Sequence, residues 1–223
     1  YRLIIPDLRG HGESELGEGP ITVEKLAADA GRLLDHFQIG KALLVGCSIG
    51  GYTLYEMWRA MPGRVEAFAF CCSKPQADDD AARAKREQNI AQVRERGTGD
   101  FIEANLQTLL GATARRRWPE KIAQVREMMQ TAGAESVIAV QQGLAARPDS
   151  VATARTIRVP CCVLAGGEDL SSTPADMRLL TEQIRNGGYG AEYNEIPDAG
   201  HLAPYEQPEL AARILRRFLD SVV

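Results

Sequence analysis

The 223-residue chain is long enough for one domain with a full core and room for an insertion. Its 44% hydrophobic and 25% charged residues are an ordinary globular composition, and a formal charge of −4 gives no electrostatic reason to expect nucleic acid or an anionic membrane as a partner. No apolar run approaches the ~20 residues that a membrane-spanning helix needs.

In chain order, residues 1–6 form a short apolar run that reads as a strand, and residues 7–20, rich in glycine and polar side chains, read as a loop. Val23, Leu26, Ala27, Ala30, Leu33, Leu34 and Phe37 then fall on one helical face, with Thr22 placed to cap its start and Gly40 just past its end. Residues 41–46 (KALLVG) are continuously apolar, as a strand buried on both faces would be. A helix is predicted over 49–61, stopped by Pro62 and Gly63, and further buried strands over 65–72, 159–165 and 191–196. Helices are predicted over 174–185, with proline in its first turn, and 208–222. Strands alternating with helices predict an α/β fold, a mostly parallel doubly wound sheet covered on both faces.

Residues 74–150 break that rhythm. They carry amphipathic patterns over 81–96, 100–110, 119–131 and 135–145 but no strong strand, and read as a helical insertion between two sheet strands. The charge runs Asp78–Asp80 and Arg115–Arg117 read as solvated surface. The domains are therefore a core over 1–73 and 151–223 and an insertion over 74–150. The five cysteines, Cys47, Cys71, Cys72, Cys161 and Cys162, are odd in number and lie in apolar stretches. They read as small buried hydrophobes, not as a disulfide framework or a zinc site, and that usage favours a reducing, cytoplasmic compartment.

Gly46-Cys47-Ser48-Ile49-Gly50-Gly51 matches G-x-S-x-G, placed after a buried strand and before a helix. A sharp strand-to-helix turn there lifts the serine hydroxyl clear of the sheet. The flanking glycines make room for it. The Ile49 N–H and the helix N-terminus would then face a developing oxyanion. A phosphate-binding turn is the rival reading, weakened by the absence of a Walker lysine. A serine needs a base, and there are three histidines. His36 ends a helix, where a solvated histidine is ordinary, and His11 in Arg9-Gly10-His11-Gly12 suits a structural role. His201, in a loop between the last strand and the last helix, is the candidate base. The imidazole in turn needs a carboxylate. Asp169 emerges from the C-terminal end of the 159–165 strand, where open α/β sheets place ligands. Glu168 is its neighbouring rival, Asp198 is a further alternative, and Asp176 suits a helix-start charge. The order Ser, Asp, His is that of α/β-hydrolases.

On these residues the chain resembles the α/β-hydrolase fold family. The likeness is carried by Asp7-Leu8-Arg9-Gly10-His11-Gly12-Glu13-Ser14, the serine turn from Gly46 to Gly51, Val159-Pro160 leading to Gly166-x-x-Asp169, and Ala199-Gly200-His201 followed by Glu206-Gln207-Pro208-Glu209. Within the family these segments are most similar to the 3-oxoadipate enol-lactonase-like and small esterase group. The resemblance implies that residues 74–150 are a cap over the active site. Trp118 in it resembles in position a tryptophan of that group, which would make it a substrate-binding residue, and a buried packing tryptophan is the alternative reading. It also implies strands ahead of Tyr1 and a His-Gly segment supplying a second oxyanion N–H, neither of which residues 1–223 contain. Roughly 25–50 further residues are implied upstream. Without them the expectation is an unprotected sheet edge and a loss of ~10²–10³ in rate from the missing donor. Full esterase activity from a refolded 223-residue chain would contradict it.

The leading functional expectation is a serine hydrolase that cleaves a small ester or lactone through an acyl-enzyme, with Ser48, His201 and Asp169 as its triad, the Ile49 N–H in its oxyanion hole, and neither metal nor organic cofactor. A carbon–carbon bond hydrolase or lyase on the same triad is the alternative, since pocket residues decide between them. A non-catalytic ligand receptor on this scaffold is a third. A haloalkane dehalogenase would carry an aspartate where Ser48 stands. The partner implied is a small molecule, and no oligomeric state is legible.

Overall fold

The computed structural model describes residues 1–222. Helix α1 (Val23–His36) leads to strand β1 (Ala42–Cys47), α2 (Ile49–Ala60), a short 3₁₀ turn (Pro62–Arg64) and β2 (Val65–Cys71). Helices α3 (Asp80–Arg96), α4 (Gly99–Leu109), α5 (Ala112–Arg117), α6 (Pro119–Gln130), α7 (Ala134–Ala145) and α8 (Val151–Ala154) intervene before β3 (Cys161–Gly166). Then come α9 (Pro174–Asn186), β4 (Ala191–Ile196), α10 (Ala203–Glu206) and α11 (Pro208–Val222). Local chemistry sets several boundaries. Thr22 caps α1 by accepting from the Lys25 N–H at 3.4 Å, and Asp79 caps α3 through Ala82 at 2.8 Å. Asp176 is a helix-start charge as expected: it exchanges reciprocal hydrogen bonds with Thr173 in a capping box.

Among the described residues the strands form one parallel sheet in the order β1-β2-β3-β4. Its core follows the period-two alternation of strand side chains. Phe68, Phe70, Cys161, Val163 and Ala165 face one side, under α1, α2 and α9. Ala67, Ala69, Cys71, Cys162 and Leu164 face the other, under Ala211, Ile214 and Phe218 of α11. The sheet is therefore covered on both faces. Helices α3–α7 build their own apolar cluster around Phe101, Leu106, Leu110 and Val125. Among the described residues, no helix is long and apolar enough to cross a membrane.

Four sequence expectations are corrected. Residues 1–6 form no strand: a strand needs a hydrogen-bonded neighbour, this run has none among the described residues, and Ile5 is 87% exposed. Strand β1 is not buried on both faces. Among the described residues it is one of the sheet's two outer strands, and Val45 stands 50% exposed. The Asp78–Asp80 run is not uniformly solvated. Asp79 caps α3, but Asp78 is buried between Arg86 and Arg147. Arg115–Arg117 form the last turn of α5, where Arg116 and Arg117 are exposed as expected and only Arg115 departs, with its Nε buried. Short helices α5, α8 and α10 carry too few residues for a periodic signal and were not legible.

Candidate active site

The sheet presents its C-terminal strand ends to one side, and three of them bear the residues singled out from the sequence. Ser48 follows β1 and stands as the residue before α2, with φ 52° and ψ −116°. This left-handed backbone costs of the order of 1–3 kcal/mol in a non-glycine residue and persists only where neighbours over-determine it. Here they do. The Ser48 N–H donates to the Cys71 carbonyl at 3.0 Å. Its carbonyl accepts from the Tyr52 N–H at 3.1 Å and from Ser73 Oγ at 3.1 Å. The turn is so tight that a Cβ on Gly46 would lie 2.5 Å from the Gly50 carbonyl oxygen and 2.6 Å from the Gly51 nitrogen. Gly51 packs directly on Ser73, whereas a Cβ on Gly50 would meet nothing within 4 Å. Close packing thus explains Gly46 and Gly51 but not Gly50. As the first residue of α2, Ile49 has an N–H with no acceptor inside its own helix.

His201 and Asp169 complete an unbroken chain of hydrogen bonds. The Ser48 Oγ to His201 Nε2 distance is 2.7 Å, and His201 Nδ1 lies 2.8 Å from Asp169 Oδ2. His201 is 4% and Asp169 2% exposed. The second oxygen of Asp169 accepts the N–H groups of Ser171 at 2.7 Å and Ser172 at 3.0 Å. The carboxylate is thereby locked with one oxygen on the imidazole, which favours the tautomer that leaves Nε2 free to accept from Ser48.

The rivals stand elsewhere. Glu168 turns away from His201 and accepts the Thr113 hydroxyl at 2.6 Å and the Thr113 N–H at 2.7 Å. Burial raises its pKa, but Thr113, then Arg116 and Arg115, outweigh that and hold it below the ordinary glutamate value. Asp198 is exposed. His11 Nδ1 sits 3.1 Å from the Arg9 carbonyl, within its own loop, and exposed His36 packs edge-on against Phe37. Trp118 does not join the hydrogen-bonded group. Its ring lies in the apolar cluster with Leu202 and Tyr205 and carries the Lys121 Nζ 4.9 Å above it.

Supporting residues lay beyond the sequence reading. Cys47 Sγ lies 3.8 Å from the His201 carbonyl oxygen, and Cys72 Sγ lies 3.8 Å from that of Gly200, so two thiols donate into the His201 loop from below. The Cys47 thiol beside it, then burial, push the Cys72 thiol well above its ordinary pKa and keep it protonated. Glu206 is 1% exposed, and burial raises its pKa although the Gly200 and Gly111 N–H groups lower it. Its only sequence signal was its place in the Glu206-Gln207-Pro208-Glu209 segment.

This geometry agrees with the comparisons. The model of the alpha/beta hydrolase family matches residues 1–214, and the chain belongs to that family. Its relatives place it in the enol-lactonase and esterase group. It is 30% identical over 220 residues to 3-oxoadipate enol-lactonase 2 of Acinetobacter baylyi, covering 94% of this chain and 75% of that protein. A thermophilic esterase from Thermogutta terrifontis superposes with a TM-score of 0.91 at 34% identity, over 97% of this chain and 79% of the other. The enol-lactonase from Burkholderia xenovorans LB400 superposes with a TM-score of 0.86 at 29% identity, over 96% and 78%.

Proposed function

We propose that the protein hydrolyses a small carboxylic ester or lactone through an acyl-enzyme intermediate. The observation that carries this reading is the continuous Ser48–His201–Asp169 hydrogen-bonded chain at the sheet's C-terminal edge. Ser48 Oγ attacks the acyl carbonyl while His201 Nε2 takes its proton. The oxyanion forms against the Ile49 N–H at the start of α2. The tetrahedral adduct collapses, the C–O bond to the leaving alkoxide breaks, and His201 returns the proton to it. Water, deprotonated by His201, then releases the acid and restores the serine. Asp169 holds the imidazole tautomer and stabilises its charged form. The named activities of the enol-lactonase and esterase relatives favour esters and lactones over carbon–carbon bond cleavage.

In the same reading residues 74–150 act as a cap that shapes the acyl pocket. Trp118 bounds it where the insertion meets Leu202 and Tyr205. The five cysteines are all free, which suits a reducing compartment, and cytoplasmic placement belongs to the proposal. The test is hydrolysis of p-nitrophenyl acetate and butyrate by the full-length protein beside Ser48→Ala. The expected result is loss of turnover in the variant. A variant as fast as the parent ends the nucleophile assignment. A panel of lactones and ring-cleavage diketones separates ester chemistry from carbon–carbon cleavage.

A further inference from the structure

Glu206 is a buried carboxylate that the reaction does not use. Among the described residues it forms no ion pair. The neighbouring Lys121 donates its Nζ to the main-chain oxygens of Tyr205 at 3.2 Å and Glu206 at 2.6 Å. Burying a carboxylate away from cations is costly, so what its oxygens hold is informative. Oε1 accepts the Gly200 N–H at 2.9 Å, and Oε2 accepts the Gly111 N–H at 2.8 Å. Gly200 precedes His201, and Gly111 is the residue that opens α5 of the helical insertion. The same short turn is gripped twice more. The Leu202 N–H donates to the Leu109 carbonyl at 3.1 Å. Glu168, the neighbour of Asp169, holds Thr113 by both its hydroxyl and its N–H. Residues 109–113 are thus tied to both chain neighbours of His201 and to the residue before Asp169. The backbones approach so closely that a Cβ on Gly111 would lie 2.7 Å from the Gly200 nitrogen, and one on Gly200 would overlap Gly111.

We propose that the turn 109–113 is a strut that sets the separation of His201 from Asp169, with Glu206 as its positioning residue and Glu168 as its second anchor. The inference rests on the roles given above to Ser48, His201 and Asp169. His201 and Asp169 sit on loops from two different strands, β4 and β3. Backbone pairing carries only two hydrogen bonds past the β3 end, from the Gly167 N–H to the Ile196 carbonyl and from the Glu168 N–H to the Ala199 carbonyl, both at 2.8 Å, and the strut braces the two loops from there to His201 and Asp169. Because the turn belongs to the insertion, displacement of the insertion reaches the base without any contact to substrate.

The test uses the full-length protein and reads kcat and KM separately, together with the low-field proton resonance of His201 Nδ1–H. Glu206→Gln keeps the side chain's size but turns one acceptor into a donor facing the N–H of Gly111 or Gly200. It is expected to lower kcat about 10- to 100-fold with little change in KM, and to shift or broaden the Nδ1 proton. Glu168→Gln and Thr113→Val each weaken the second anchor, and about 2- to 10-fold is expected in kcat. A folded Glu206→Gln with parental kcat and an unshifted Nδ1 proton, or one altered only in KM, overturns the strut. Should Glu206→Gln not fold, parental kcat and proton shift in both second-anchor variants overturn it equally. Ser48→Ala separates the two readings. An active Ser48→Ala sinks the triad itself, whereas an inactive one beside an unaffected Glu206→Gln sinks only the strut.

Discussion

Asp169→Asn tests the proposed triad most sharply, because the structure dictates how the new amide must lie. In the parent, Oδ1 accepts two backbone N–H groups, from Ser171 and Ser172, and Oδ2 faces His201 Nδ1 at 2.8 Å. An asparagine will keep its carbonyl oxygen on those two donors, since turning its NH₂ toward them leaves two buried N–H groups unsatisfied. The NH₂ then sits against Nδ1 and donates to it. The imidazole proton is driven to Nε2, which lies 2.7 Å from Ser48 Oγ and can no longer accept the serine's proton. The fold is preserved and the base is held in the wrong tautomer. The expected loss in kcat is about 10⁴-fold, equivalent to about 5 kcal/mol of transition-state stabilisation. The assay is steady-state p-nitrophenyl butyrate hydrolysis, with circular dichroism to show that the variant is folded. A folded Asp169→Asn that loses no more than about tenfold would mean that Asp169 does not set the tautomer.

Gly51→Ala places a methyl group onto Ser73, whose hydroxyl hydrogen-bonds to the Ser48 and Cys71 carbonyls, and is expected to cost about 1–3 kcal/mol. In a thermal melt that is roughly 2–4 °C per kcal/mol, while Gly50→Ala, with open space at its Cβ, holds or raises Tm; the reverse ranking would refute the packing argument. Asp78→Asn leaves buried Arg147 without its carboxylate and is expected to destabilise by about 3–5 kcal/mol at neutral pH. Burial raises the Asp78 pKa, but Arg86 and Arg147 outweigh it and hold it below the usual aspartate value. Its contribution is therefore full above the ordinary carboxylate pKa and lost as pH falls through the lowered one. Urea midpoints for parent and variant should converge on acidification, and a gap that does not narrow contradicts the ion-pair account.

Most long elements were legible because their signals are local. The helix predicted over 49–61 is α2 at Ile49–Ala60, and the 191–196 and 208–222 elements match β4 and α11. Apolar periodicity and capping chemistry act over a few residues and need no distant partner. The reading failed where a partner decides. The apolar run 1–6 looks like a strand, yet strand structure exists only through pairing. KALLVG looks doubly buried, yet among the described residues it lies at the sheet edge with Val45 exposed. Asp78 looks like surface charge, yet Arg86 from the adjoining helix and Arg147 from the far end of the insertion enclose it.

The candidate site divides in the same way. Ser48 was readable because its strained turn is written in six consecutive residues, and its backbone does take the left-handed conformation the motif requires. His201 and Asp169 could be nominated by their places after strands, but Glu168 remained a rival to Asp169. Two adjacent carboxylates in one loop differ only in where each side chain points. Tertiary structure separated them by supplying different donors: His201 and two backbone N–H groups for Asp169, Thr113 for Glu168. The contact of Glu206 with the turn that it holds was not legible for the same reason. Gly111 and Gly200 are 89 positions apart (200 − 111) and meet only once the insertion has folded back on the sheet's C-terminal edge. The chain's own order determines which chemistry is available, and packing across that order determines which groups it joins.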